Sequence, residues 1–278
     1  MAAARFDRAA GITTLHNGVR MPIIGLGTWQ VEGEAARRAV SDGLAAGYRH
    51  IDTAMIYENE AEVGAALAAS AIPRDQVLVT TKLWNDDHGR ANVFEAFESS
   101  RTRLGLQQVD LYLIHWPVAA VRLQTWETFA EILARGDVRA IGVSNFTIDH
   151  LEELAAAGGP LPTVNQVEFS PFLFQEGLLR HCRAKGIQLV AYSPLARGQR
   201  LEDPTVQGVA TEVGCTAAQV LLAWALQHQV VVIPKSITPA RQRENLAAGH
   251  VRLGADAMAR LDSLDEGFRL CWDPTTMA

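Results

Sequence analysis

The feature that most constrains this chain is an alternation running nearly its whole length: short apolar runs fit for strands, each followed by an amphipathic stretch fit for a helix. Read in order, strands are predicted over 23–27, 48–52, 77–82, 109–115, 139–143, 163–166, 187–191 and 230–233. Helices are predicted between and after them at 33–46, 59–70, 90–104, 123–135, 148–157, 175–185, 204–213 with 216–227, and 239–247. Runs such as Leu111-Tyr112-Leu113-Ile114 are apolar at every position, which suits a parallel sheet covered on both faces. Eight βα units of this kind make an α/β chain of the (β/α)8 TIM-barrel class. A length of 278 residues with 48% apolar content supplies one such barrel, read as a single domain over 1–278. Ahead of it, Asn17-Gly18 between 13–16 and 19–21 predicts an N-terminal β-hairpin with a type I′ turn, in which both central residues have positive φ.

Charge and cysteine usage narrow the function. The net charge of -6 is small and unclustered, which argues against nucleic acid or an anionic membrane as partner and for a small molecule. Cys182, Cys215 and Cys271 are odd in number and form no CxxC pair, so neither a disulfide framework nor a metal cluster is expected. The first eleven residues lack the apolar core of a signal peptide, and no run of eighteen apolar residues occurs. These readings predict a cytoplasmic protein.

In a barrel of this class the carboxyl ends of the strands form one reactive rim. Here those ends carry Asp52, Lys82, His115, Ser144, Asn145, Gln166, Glu168, Tyr192, Lys235 and Ser236. Alternation places Tyr48, His50 and Asp52 on one face of their strand, and Tyr57 follows five residues later in the loop. Asn59 with Glu62 then predicts a weak capping box for the next helix. Singly, each of these has an ordinary structural reading: an ion pair for Asp52, a snorkelling Lys82, a packing Tyr57, a donor His115. Together, an ammonium near a phenol is expected to lower its pKa of about 10 by about 1 to 3 units and make it a usable acid. His115 could then orient a carbonyl oxygen, while His50 lies deeper and is read as barrel interior. Trp29, Trp84 and Trp116 follow strand ends and are read as walls of an apolar pocket. Lys235 and Ser236, with Arg241 on the first turn of the next helix, form an anion site suited to a phosphate monoester. The stretch Gly25-Leu26-Gly27-Thr28 starts like a dinucleotide fingerprint but lacks its third glycine and its helix, so a Rossmann domain is not supported.

With these residues in view the sequence resembles the aldo-keto reductases, most of all the short bacterial members similar to 2,5-diketo-gluconate reductases. The matching segments are GLGTW, GYRHIDTAMIYENEAEVGAAL, TTKLW, RLGLQQVDLYLIHWP, IGVSNF, NQVE, AYSPL and IPKSITPARQREN, in order from 25 to 245. The resemblance implies a monomeric (β/α)8 reductase that uses NADPH, holds no metal and acts on a small carbonyl, α-dicarbonyl or keto-sugar. It implies Tyr57 as general acid, tuned by Lys82 and Asp52, with His115 positioning the carbonyl. It assigns Ser144, Asn145 and Gln166 to the carboxamide of the nicotinamide and Tyr192 to its ring. Gly27, Thr28, Asp52 and Ile237 border the cofactor, Ser193, Pro194 and Leu195 the pyrophosphate, Lys235, Ser236 and Arg241 the 2′-phosphate, and Glu244 and Asn245 the adenine. Trp29, Trp84, His115 and Trp116 would touch substrate. The short segments after Pro117 and Leu195, the short tail from Gly267, and Phe169-Ser170 in place of the histidine many relatives carry imply an open pocket. Two rivals share the fold: a glycoside hydrolase using Asp52 and Glu168 as its carboxylate pair, and a nucleotide-binding regulatory protein with little turnover.

Overall fold

The computed structural model of the chain describes residues 4–277; residues 1–3 and 278, the outer ends of the stretch read for a leader and of the tail, lie outside the described residues. The first three strands, β1 (Arg5–Asp7), β2 (Ile12–Thr14) and β3 (Arg20–Pro22), pair antiparallel into a small sheet of their own. The expected hairpin is therefore β2–β3, extended by a strand the sequence did not announce. Its turn is not type I′: Gly18 has φ 89° while Asn17 is absent from the residues at positive φ. The Gly18 N–H donates to Leu15 O at 2.8 Å, and Leu15 and Val19 close the loop, so a tight turn ends in one left-handed glycine.

Strand and helix then alternate as β4 (Leu26–Gly27), α1 (Gly33–Ala46), β5 (His50–Asp52), α2 (Glu60–Ala69), β6 (Leu78–Leu83) and α3 (Arg90–Leu104). They continue as β7 (Val109–Ile114), α4 (Arg122–Arg135), β8 (Val138–Ser144), α5 (Ile148–Ala157), β9 (Val164–Glu168), α6 (Glu176–Lys185) and β10 (Gln188–Tyr192). Two helices, α7 (Pro204–Val213) and α8 (Ala217–Gln227), precede β11 (Val231–Val232), and α9 (Pro239–Ala247) and α10 (Ala255–Asp262) follow it. Strands β4 to β11 are hydrogen-bonded in sequence order, each parallel to the next. Gly25 N–H to Val232 O at 2.8 Å and Val232 N–H to Ile23 O at 3.0 Å join the last strand to the first. The result is the expected (β/α)8 barrel with an N-terminal hairpin sheet.

Alternation along the strands divides the core into two layers. In β7, Leu111 and Leu113 join the interior cluster, while Tyr112 and Ile114 pack outward under the helices. Leu15, Val19 and Met21 of the hairpin belong to the interior cluster and plug the amino-terminal end of the barrel. Closure at the first strand depends on two glycines: a Cβ at Gly25 would stand 2.5 Å from the His50 ring, and one at Gly27 would stand 2.8 Å from Ile233 O.

One local expectation fails for an instructive reason. Asn59 precedes α2 but makes no cap bond, so the Asn59–Glu62 capping box does not form. Its buried amide instead donates to Thr28 O at 2.9 Å and Val31 O at 2.8 Å, and its carbonyl accepts from Thr53 Oγ1 at 2.6 Å. Three tertiary bonds displace one local bond. Among the described residues no single helix is long and apolar enough to cross a membrane; α7 and α8 would pass only as a pair, and they are bent by 87°.

Candidate active site

The carboxyl ends of the strands open into one cleft of about 1230 Å3. At its floor lies a buried set built from β5, β6 and the loop between β5 and α2. Asp52, at the end of β5, gives one oxygen to Lys82 Nζ at 2.5 Å and the other to Gln166 Nε2 at 2.7 Å. Lys82 is wholly buried on β6, and its ammonium also donates to Thr53 O at 2.9 Å and Tyr57 Oη at 3.5 Å. Tyr57 ends a 3-10 turn, and Glu58 at φ 54° swings the chain from there into α2.

The electrostatics differ from the sequence expectation at Tyr57. Burial raises the phenol above its usual pKa of 10.0, and Lys82, pulling downward, offsets this only in part. The cation is shared with Asp52 only 2.5 Å away, so its effect on the phenol is blunted. Tyr57 therefore keeps its proton, the state an acid requires. Lys82 is pushed down by burial, but Asp52 and Tyr57 outweigh that and hold it above its ordinary range. His115, just past the end of β7, is driven by burial, with Lys82 adding to it, to a pKa well below 6.5. Its imidazole is neutral near pH 7, suited to donating one hydrogen bond and unsuited to acting as the acid. The ring meets Tyr57 edge-on at 5.8 Å and Trp84 at 5.2 Å.

Next to this floor stand polar groups from β8, β9 and β10. Asn145, at φ 64°, donates to His115 O at 3.0 Å and accepts from Tyr192 Oη at 2.8 Å. Asn145, Gln166 and Tyr192 line the cleft. Ser144 does not: its hydroxyl donates to Gln166 O at 2.7 Å and accepts from Asn145 at 3.2 Å, one layer behind them. The cleft then runs past Gly27, Thr28, Ser193, Pro194 and Leu195 to Lys235, Ser236, Ile237, Arg241, Glu244 and Asn245. At that far end α9 begins with Thr238 making no side-chain cap, and neither Lys235 nor Arg241 enters an ion pair among the described residues. A helix start with two uncommitted cations fits a phosphate monoester.

Trp29, Trp84 and Trp116 all line the cleft, as expected from their places after strand ends. The expectation of an open pocket needs correction, because the tail folds over this end and brings Leu270, Cys271 and Trp272 into it. Trp272 lies against Trp116 at 5.3 Å and Trp84 at 6.3 Å. Arg197, also unanticipated, covers the Trp29 ring at 4.4 Å. The signals were faint: one tryptophan in a polar tail, one arginine beside Gly198. Phe169 turns away from the cleft and stacks on Trp224 at 5.1 Å. His50 is interior as expected, its ring bonded to Thr80 Oγ1 at 3.1 Å. The hydrolase rival fails on geometry, since Asp52 is occupied by Lys82 and Gln166, and both Glu168 oxygens accept backbone N–H groups of the tail.

Comparison with known proteins points to one family. The chain matches the model of the Aldo/keto reductase family over residues 23–266. It is 44% identical over 261 residues to the glyoxal reductase of Bacillus subtilis (strain 168), covering 94% of this chain and 95% of that one. Among solved structures it is similar to MGS-M4, an aldo-keto reductase enzyme from a Medee basin deep-sea metagenome library, at 42% identity and TM-score 0.91, covering 93% of this chain and 97% of that one. A mutant of Gox0644 solved in complex with NADPH is 37% identical with TM-score 0.91, covering 95% and 97% of the two chains.

Proposed function

The chain belongs to the aldo/keto reductase family, and on that premise we propose that it reduces an aldehyde or ketone, with NADPH as hydride donor and Tyr57 as proton donor. The observation that carries this is the buried Asp52–Lys82–Tyr57 chain beside neutral His115, at the floor of a cleft whose other end is a basic helix start. When bound, NADPH supplies the hydride. Asn145, Gln166 and Tyr192 would hold the nicotinamide end, Ser193 to Leu195 the pyrophosphate, and Lys235, Ser236 and Arg241 the 2′-phosphate.

The residues then divide the remaining work. His115 donates a hydrogen bond to the carbonyl oxygen and holds it within reach of Tyr57 Oη. As charge develops on that oxygen, the phenol gives up its proton, and the nearby Lys82 ammonium stabilises the phenolate left behind. Asp52 keeps Lys82 charged and in place. Trp29, Trp84 and Trp116 exclude water from the reacting atoms. The complete set of Asp52, Tyr57, Lys82 and His115 disfavours a purely regulatory nucleotide binder, which has no use for a poised acid. Glyoxal reductase among the relatives supports an α-dicarbonyl as one substrate class, beside simple aldehydes and keto-sugars.

The test is NADPH oxidation by the purified chain with methylglyoxal, an aromatic aldehyde and a keto-sugar. Turnover of at least one is expected. Saturable NADPH binding with no oxidation by any of them would overturn the reading in favour of the regulatory one.

A further inference from the structure

The sequence offers Glu168 as a strand-end acid facing the chemistry, and the structure gives it other partners. It closes β9 and is 3% exposed, yet it makes no ion pair among the described residues. One carboxylate oxygen accepts the Leu270 N–H at 2.8 Å and the other accepts the Cys271 N–H at 3.0 Å. Its own carbonyl is fixed by Gln175 Nε2 at 2.7 Å. A buried acid gripping two successive main-chain donors forms charge-assisted hydrogen bonds, and releasing the donors would leave it buried and unpaired. The tail thus has a strong reason to stay where it is, although Leu270 and Cys271 are only half-buried. Upstream, Glu266 and Phe268 donate to Phe172 O, so the segment is tied at two points before it reaches the next residue.

That next residue is Trp272. It is 58% exposed, an unusual state for so large an apolar side chain, and its ring leans on Trp84 and Trp116 at the reacting end of the cleft. We propose that Glu168 is a positioning residue that clasps the tail across the cleft, and that the wall it holds there, Trp272, favours carbonyl compounds with a flat, uncharged body over those too small to reach it. This rests on the reductase reading above and extends it to the substrate's body. Trp84 meets both the His115 ring, at 5.2 Å, and Trp272, at 6.3 Å, whereas no ring contact joins Trp272 to His115 or Tyr57 among the described residues, so a three-carbon dicarbonyl held by those two is expected to gain little from Trp272. A bicyclic aryl aldehyde is long enough to extend outward against Trp272, where aromatic contact strengthens binding beyond the area buried.

The experiment compares wild type, Glu168→Gln, Trp272→Ala and the double variant, with methylglyoxal and 2-naphthaldehyde as substrates and NADPH as donor. Glutamine keeps the shape but turns an amide NH2 toward one of the two donors. Each single variant is expected to raise KM for 2-naphthaldehyde about threefold to tenfold. Methylglyoxal should lose less than 2-naphthaldehyde in every variant, and the NADPH Kd should stay within about twofold. Because Glu168 acts through Trp272, the double variant should be no worse than Trp272→Ala alone. Losses equal for both substrates, or losses that add in the double variant, would overturn the proposal. Should Glu168→Gln fail to fold, two measurements on soluble proteins still decide. Trp272→Ala must lower the preference for 2-naphthaldehyde, and the Leu270 and Cys271 amides of wild type must be protected from hydrogen exchange; failure of either overturns it. If wild type oxidises NADPH with neither substrate, the reductase reading falls, while amide protection still reports on the clasp.

Discussion

Single residues matter here through what surrounds them. A lysine with no exposure is costly unless its charge is compensated, and Lys82 meets that condition with Asp52, Thr53 O and Tyr57 Oη together. Removing the ammonium leaves burial acting unopposed on the phenol, so Lys82→Met should make Tyr57 a still weaker acid. Reduction should slow by at least about 10² with NADPH affinity nearly kept. A near wild-type rate would show that the phenol does not depend on Lys82. At the other end, Arg241 is exposed and enters no ion pair among the described residues, and a charge-assisted bond to a phosphate is worth about 1.5 to 3 kcal/mol. Arg241→Ala should therefore weaken NADPH about tenfold to a hundredfold and NADH little, by fluorescence titration. Equal losses would place the 2′-phosphate elsewhere.

At the scale of elements, much of the design was legible because periodicity records it. The helices expected over 90–104, 148–157, 204–213 and 239–247 form with those limits, since glycine or proline punctuates them and apolar residues recur on one face. Asp52, Lys82, Gln166 and Tyr192 were legible because a parallel strand delivers its last residues to a known rim. What escaped has no period to read. β1 is paired on one edge and largely exposed, α10 buries only Ala257 and Leu261, and Trp272 reaches the cleft through loop bonds made by Glu168. Asn59 shows the same limit, since its sequence context suggests a cap while its side chain ties the loop after β4 to the loop that carries Tyr57. Asn59→Ala would orphan the buried Val31 O, while Thr28 O keeps the Val31 N–H at 3.2 Å, so urea unfolding should report a loss of about 1 to 3 kcal/mol. A change under about 0.5 kcal/mol would mean that water replaces the amide.

For the molecule as a whole, the same burial that builds the barrel fixes its response to pH. Burial, partly offset by Asp52, holds His50 at a pKa of about 4, and burial holds His88 at about 4, against an ordinary 6.5. A depressed histidine folds neutral, whereas the unfolded chain binds the proton from pH 6.5 downward. The contribution to stability is complete above 6.5 and is lost as pH falls toward 4, roughly 3 kcal/mol for the fully buried His50. Denaturant titrations between pH 7 and 4.5 should show stability falling with pH, and His50→Gln should reduce that slope by up to about one proton. An unchanged slope would mean His50 titrates normally.

On the proposed function the cleft separates two tasks across the molecule, gripping the cofactor along its length and delivering a proton at its floor, so the two should uncouple. The most direct measurement is single-turnover reduction by Tyr57→Phe with NADPH binding measured in parallel. Phenylalanine keeps the ring against His115 and removes the one proton the reaction is said to use. The expected result is a fall in rate of at least about 10² to 10⁴ with NADPH bound almost as tightly as by wild type. A Tyr57→Phe enzyme that reduces aldehydes at close to the wild-type rate would contradict it.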